Sequence, residues 1–361
     1  MTDLYTTLAA IKPLDKDAMA AAVGRQGKLT KPPSALGRLE TLSIILAGIT
    51  GCARPSVARK VIAVMAGDHG VVAEGVSAYP PEVTAQMIGN FLAGGAAINV
   101  LARHVGAQVR VTDVGVAADV SALAGVRHHK VRAGTGNIAR EPAMTRDEAL
   151  RAVVVGIALV EEEIGHGLEL IATGEMGIGN TTPSSAIVAA LTGLPIREVT
   201  GRGTGISEQA LQLKISVIER ALAINRPDPE DPLDVLAKVG GLEIAAMAGV
   251  MLGAAAHHLP VVMDGFISGA AALLAVRLCP GARDYILPSH CSVEIGHRVI
   301  FAELGMTPLF DLDLRLGEGT GAAIAMTLID AAAKILSEMA TFADAGVIGE
   351  MVQSSVSSSM Q

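Results

Sequence analysis

From Lys60 onward the chain alternates short apolar runs with longer segments of helical period. Val61–Ala66 ends in Gly67-Asp68-His69-Gly70, Val109–Val114 ends at Asp113–Gly115, and Leu168–Ala172 runs into Gly174-Glu175. Pro260–Met263 gives way to Asp264-Gly265, Tyr285–Leu287 to Pro288-Ser289-His290, and Pro308–Leu314 to Arg315-Leu316-Gly317-Glu318-Gly319. Unbroken apolar runs of this length, bounded by polar and glycine residues, predict six buried strands. Between them, Glu82–His104, Arg146–Glu163, Pro183–Leu191, Glu208–Leu222, Glu243–His257, Gly265–Leu278, His297–Leu304 and Gly321–Ser337 read as helices. This alternation predicts an α/β fold: an open, mostly parallel six-stranded sheet with helices on both faces. Crossover connections bring the C-terminal ends of all six strands to one edge, where such sheets bind ligands.

Residues 1–59 differ in character. Asp15–Arg25 and Ser34–Thr50 have helical period and are split by Lys31-Pro32-Pro33, which cannot lie inside a helix. The expected organisation is a large α/β domain over residues 60–330. Residues 1–59 with 331–361 form a small helical domain, and the serine-rich tail 353–361 is expected to be disordered.

Composition narrows the function classes. Half the residues are apolar, only 2% are aromatic and 40 are glycine, so the core is built from aliphatic side chains and close backbone contacts. A net charge of −8, with no basic run, argues against nucleic acid as a partner. Cys52, Cys279 and Cys291 share no metal or redox spacing and read as buried thiols of a reducing compartment. The N-terminus lacks the layout of a signal peptide. The most apolar run, Ile244–Ala256, stops at 13 residues, short of the roughly 20 a membrane span needs. A cytoplasmic protein is expected.

Three stretches could carry chemistry. Leu170–Thr182 reads as a strand, the glycines Gly174, Gly177 and Gly179, and a helix capped by Thr181 or Thr182 with Pro183 in its first turn. Unpaired N–H groups at such a turn suit a phosphate. The Gly-x-x-Gly-x-Gly spacing matches neither the dinucleotide fingerprint nor the P-loop, and a ligand-free turn reads equally well. Gly201-Arg202-Gly203-Thr204-Gly205 leads into a second helix with Ser207 as its cap. Lys214, two turns on, reaches a phosphate only if that helix points at the site. Glu318, between Gly317 and Gly319, is a candidate general base if poor solvation raises its proton affinity, and a turn glutamate at a helix N-terminus otherwise. His69, the His128–His129 pair, His290 and His297 have no metal-ligand spacing, so no metal is expected.

Taken together, the motifs resemble a known family. They are Lys31-Pro32-Pro33 with Leu36-Gly37-Arg38-Leu39-Glu40, Gly67-Asp68-His69-Gly70-Val71, and Gly75-Val76-Ser77-Ala78-Tyr79-Pro80. Further along come Gly174–Thr182, Met263-Asp264-Gly265, Ser289-His290 to Gly296-His297, and Arg315–Gly321. This set is similar to the nicotinate-nucleotide–dimethylbenzimidazole phosphoribosyltransferases of cobalamin synthesis, over roughly residues 28–335. Ser34-Ala35 stand where the family usually has Gly-Ser.

The resemblance implies transfer of the phosphoribosyl group of nicotinate mononucleotide to dimethylbenzimidazole, with Glu318 as general base, no cofactor, and a homodimer. It places the phosphate and ribose on Gly174, Glu175, Met176, Gly177, Ile178, Gly179, Asn180 and Thr181, with Gly203, Lys214, Asp264 and Gly265. The flat base is expected against Tyr79, Pro80, Gln86, Met87, Leu316 and Gly317, with Met176 as a further apolar wall. The leaving nicotinate becomes neutral at its ring nitrogen and needs no general acid, so one carboxylate suffices where glycoside hydrolysis usually uses two. A nicotinamide-dependent dehydrogenase is disfavoured by the missing fingerprint. A non-catalytic nucleotide sensor would have no use for Glu318.

Overall fold

The computed structural model describes residues 3–203 and 205–348, so the tail 353–361 lies outside the described residues. Six strands pair in parallel in the order β3-β2-β1-β4-β5-β6. They are β1 (Lys60–Gly67), β2 (Ala107–Gly115), β3 (Arg127–His128), β4 (Leu170–Met176), β5 (Val261–Met263) and β6 (Ile286–Pro288). The chain steps outward from β1 to β3, returns to the other side of β1 for β4, then steps outward again to β6. Right-handed crossovers in opposite directions put helices on opposite faces. The reversal between β1 and β4 opens a crevice beyond the strands' C-terminal ends.

Several elements differ from the sequence expectation. Pro308–Leu314 does not join the sheet. It makes one bridge, Phe310 to His290, and its alternating Asp311 and Asp313, the latter at φ +54°, prevent a ladder. The sixth strand is instead the two-residue β3, paired with Thr112 and Asp113. β4 continues past Ala172 through Thr173, Gly174, Glu175 and Met176, all buried. Glu82–His104 divides into Glu82–Ala93 and Ala97–Val105, because Gly94 takes φ +77° and its N–H closes on the Asn90 carbonyl. Thr320–Glu338 has the length and apolarity of a membrane span, yet 56% of that window is buried within the fold. Cys52 is exposed and Cys279 and Cys291 are half-buried, all three free thiols, which corrects the expectation of buried ones.

The helices Arg146–Gly165 and Leu242–Ala256 meet backbone to backbone. A Cβ at Gly156 would overlap the Ala246 carbonyl, and one at Gly249 would overlap the Val153 carbonyl. This close approach lets an aliphatic, aromatic-poor core reach normal interior density.

The chain divides into two compact units. The larger takes residues 1–13 and 57–327, the smaller 14–56 and 328–361. Residues 1–13 were expected in the smaller one. Their helix Leu4–Ala10 buries Leu4 and touches Arg146–Gly165 and Leu242–Ala256 instead. In the smaller unit Ala22, Ala47 and Leu336 form a core, and Arg25 donates to the Ser337 (3.1 Å) and Met339 (3.0 Å) carbonyls at a helix end. Ser34 sits at φ +59°, a backbone that favours glycine.

Candidate active site

The crevice is a cavity of about 670 Å³ within the larger unit. Its floor is the end of β4 and the turn after it. Glu175, Met176, Gly177, Ile178, Gly179, Asn180 and Thr181 all line it. The helix Thr181–Thr192 starts after Asn180, which holds the cap position without a side-chain cap bond, so neither Thr181 nor Thr182 is the cap. Gly179 takes φ +87°, the conformation that ends the turn. Gly203 approaches this helix start so closely that a Cβ there would stand 2.8 Å from Thr181 Oγ1 and 3.5 Å from Lys214 Nζ.

Lys214 is fully buried and does not line the cavity. Its Nζ donates to Thr181 Oγ1 (2.8 Å) and to the Gly201 carbonyl (3.3 Å). Burial pulls it down to about 8, against the attraction of Glu294. The helix Glu208–Asn225 that carries it is capped by Ser207, as expected.

One wall is the turn Gly317-Glu318-Gly319, with φ of +83°, +62° and +90°. The glycines adopt this conformation freely. Glu318 does not, and a non-glycine residue held there costs roughly 1–2 kcal/mol. Its carboxylate accepts the Ile98 N–H (3.2 Å) near the start of helix Ala97–Val105. Burial raises its proton affinity, the Ile98 N–H lowers it, and burial wins.

Asp264, at the end of β5, lines the same cavity with a committed carboxylate. Oδ1 accepts the Ala322 N–H (2.8 Å) and Oδ2 the Gly319 N–H (3.2 Å), which anchors the glycine turn and the start of helix Thr320–Glu338. Burial pushes it up to about 7 against these N–H bonds and those of Gly321 and Gly265. Glu175 is the third carboxylate. It accepts from the Asn180 amide and from the Glu318 N–H, and Gly317 lies so close that any Cβ there would overlap Oε1. Burial, then Glu243 and Asp264, push it up to about 8.

Tyr79, Met87 and Leu316 line the mouth as apolar walls, with Tyr79 54% and Leu316 57% exposed, and Met176 adds an apolar surface from the floor. Gly265 and Gly317 line the cavity as well. Gly174, Pro80 and Gln86 do not: Gly174 lies inside β4 against the Glu318 backbone, and the other two are exposed.

Three features of this edge were not placed in the site by the sequence. Glu294 lines the cavity with Oε2 buried and unpartnered. His290 lines it too, held neutral by a burial that pulls it down to about 4 against Asp311. Ser289 Oγ donates to the Asp264 carbonyl, so the His290 Nδ1–H donates to Ser289 Oγ (3.0 Å) and Nε2 remains an acceptor. His69 and Glu243 form a buried pair under the floor, Nε2 to Oε1 2.7 Å.

A glycine-rich helix start beside a buried lysine, faced by a carboxylate on a strained turn across an apolar-mouthed cavity, suits an anionic sugar phosphate and a flat acceptor. The family model for phosphoribosyltransferase, DBI_PRT, matches residues 11–347. The chain belongs to this family. The nicotinate-nucleotide–dimethylbenzimidazole phosphoribosyltransferase of Roseiflexus sp. is 58% identical over 97% of this chain and 99% of that one. The Geobacter sulfurreducens enzyme of the same name is 58% identical over 96% and 99%. The structure of the Thermus thermophilus enzyme of that name superposes with a TM-score of 0.88 at 49% identity, covering 93% of this chain and all of its own. The chain is therefore an enzyme of the phosphoribosyl-transferring class on the family's α/β fold.

Proposed function

We propose that this chain transfers the phosphoribosyl group of nicotinate mononucleotide to dimethylbenzimidazole, giving α-ribazole phosphate and nicotinate, with Glu318 as the general base. The acceptor's ring nitrogen attacks C1′ of the ribose. The bond from C1′ to the pyridinium nitrogen breaks, and its electron pair stays on that nitrogen, which becomes neutral. Glu318 takes the N–H proton that the acceptor loses. The observation that carries this reading is the Glu318 carboxylate itself. It is buried at the cavity wall, held by one N–H and raised in proton affinity, which suits a base and not a structural anion.

The phosphate binds at the Thr181 helix start, where the positive helix end and the nearby Lys214 ammonium complement it. The flat base lies between Tyr79, Met87, Met176 and Leu316. The donor has one phosphate and no pyrophosphate to chelate, so the reaction runs without metal. The working form is a homodimer, as the family resemblance implies, and a cytoplasmic one, as the composition suggests; sedimentation tests the dimer. Turnover is assayed with the two purified substrates and the product's α configuration read by NMR. Failure to form α-ribazole phosphate would overturn the reading, and activity lost in a chelator and restored by magnesium or zinc would overturn its metal-free form.

A further inference from the structure

Glu294 lines the cavity with a carboxylate to which the transfer chemistry gives no task. It holds the cap position of the helix Ile295–Leu304, yet its side chain makes no cap bond there. The residue is only 6% exposed, and Oε2 is buried without a hydrogen-bond partner among the described residues. An acceptor buried in this way is costly unless something donates to it.

The neighbours hold the carboxylate in that place. The Ser292 N–H donates to His297 Nδ1 (3.1 Å), the Glu294 N–H to Ser292 Oγ (3.3 Å), and the His297 N–H to the Glu294 carbonyl (3.0 Å). These bonds knot residues 292–297 into one turn against the cavity. From the other side comes Gly201, where any Cβ would overlap Glu294 Oε2. Only a bare backbone lets the carboxylate reach its position. Lys214 meets the same glycine, because its Nζ donates to the Gly201 carbonyl (3.3 Å) as well as to Thr181 Oγ1 (2.8 Å). Its charge attracts Glu294 without supplying Oε2 with a hydrogen bond. The anion therefore has a countercharge, and what it lacks is a donor.

The Thr181 helix start and Glu318 line the same cavity as Glu294. A phosphoribosyl group held by its phosphate at the first and attacked beside the second must lay its sugar ring in that cavity. The phosphate and the nicotinate carboxylate are anionic acceptors, which Oε2 repels. The donors that the group offers are its two ring hydroxyls. We propose that Glu294 is a specificity-determining residue that accepts a hydrogen bond from a ring hydroxyl of the donor sugar, with Gly201 kept bare to admit its carboxylate. The proposal rests on the substrate reading above for the identity of the sugar. A site built to accept from a hydroxyl rejects the sugar that lacks it, because the acceptor is then left buried and unpaired.

The test is calorimetry of the full chain with ribose 5-phosphate, its 2-deoxy and 3-deoxy analogues, and inorganic phosphate. Wild type should bind ribose 5-phosphate about 10–10²-fold more tightly than at least one deoxy analogue. In Glu294→Ala that preference should vanish, while affinity for inorganic phosphate is not weakened, a separation that general damage to the site would not produce. Glu294→Gln, which keeps the shape and a neutral acceptor, should fall between. Should Glu294→Ala not fold, Gly201→Ala makes the same test from the opposite side, because its Cβ displaces the carboxylate. Equal affinity of wild type for all three sugars would overturn the proposal, and so would a preference that survives in the folded Glu294→Ala or Gly201→Ala protein. Wild type that shows the preference but forms no α-ribazole phosphate would fault the substrate reading alone.

Discussion

Asp264 and Glu318 sit at the same edge of the sheet, line the same cavity, and are both shifted upward by burial. They differ in what holds them. Asp264 accepts four backbone N–H groups and ties the Gly319–Ala322 segment to β5, whereas Glu318 accepts, among the described residues, only the Ile98 N–H and sits on a left-handed backbone. A carboxylate at a strand end is therefore not a base by its place alone. The number of main-chain donors it must satisfy decides whether it is an anchor or a reagent.

The sharpest way to break this comparison is Glu318→Gln. Turnover should fall on the order of 10²–10⁴-fold with donor affinity kept. Because Glu318 must be ionised to act and its proton affinity is raised, the wild-type rate should fall as pH drops through its value, and that limb should vanish in the variant. Near-normal turnover would make Glu318 a second anchor. Asp264→Ala should show the converse, a stability loss of about 3 kcal/mol in denaturant unfolding as its buried N–H partners are orphaned. Unchanged stability would mean that Asp264 is not the anchor described.

Lys214→Met tests the buried support behind the Thr181 helix start. Donor affinity by calorimetry should weaken by roughly 10–10²-fold, the usual worth of a charged hydrogen bond. Turnover at saturating donor should be nearly retained. The smallest effect separates strain kept for function from strain kept for nothing visible. Ser34 shares the left-handed backbone of Glu318 but makes no part of the cavity, so Ser34→Gly should raise stability by up to about 1 kcal/mol without touching turnover. A loss of stability would show that Ser34's side chain compensates its backbone.

The sheet was legible because continuous apolar runs ending in polar glycine turns are what parallel strands require. Arg127–His128 was not, since two polar edge residues carry no pattern, and Pro308–Leu314 misled because an extended apolar segment reads like a strand even when it pairs at a single residue. In the site, the glycine turns and Glu318 were visible as local motifs. The His69–Glu243 pair was not, because its partners lie 174 positions apart. Lys214, read alone, looks like a solvated helix lysine, and only the tertiary fold reveals the buried reach to Thr181.

The contact of Gly156 with Ala246, and of Gly249 with Val153, bears on how mutational scans of this enzyme are interpreted. Any side chain at either glycine forces two backbones apart, so a growth-based scan will score these positions as intolerant as Glu318. Ranking by fitness alone would then enlist two spacers among the reagents. Scoring the same library for soluble protein as well as for growth should split them, with Gly156 and Gly249 variants depleted in both and Glu318 variants abundant but inert.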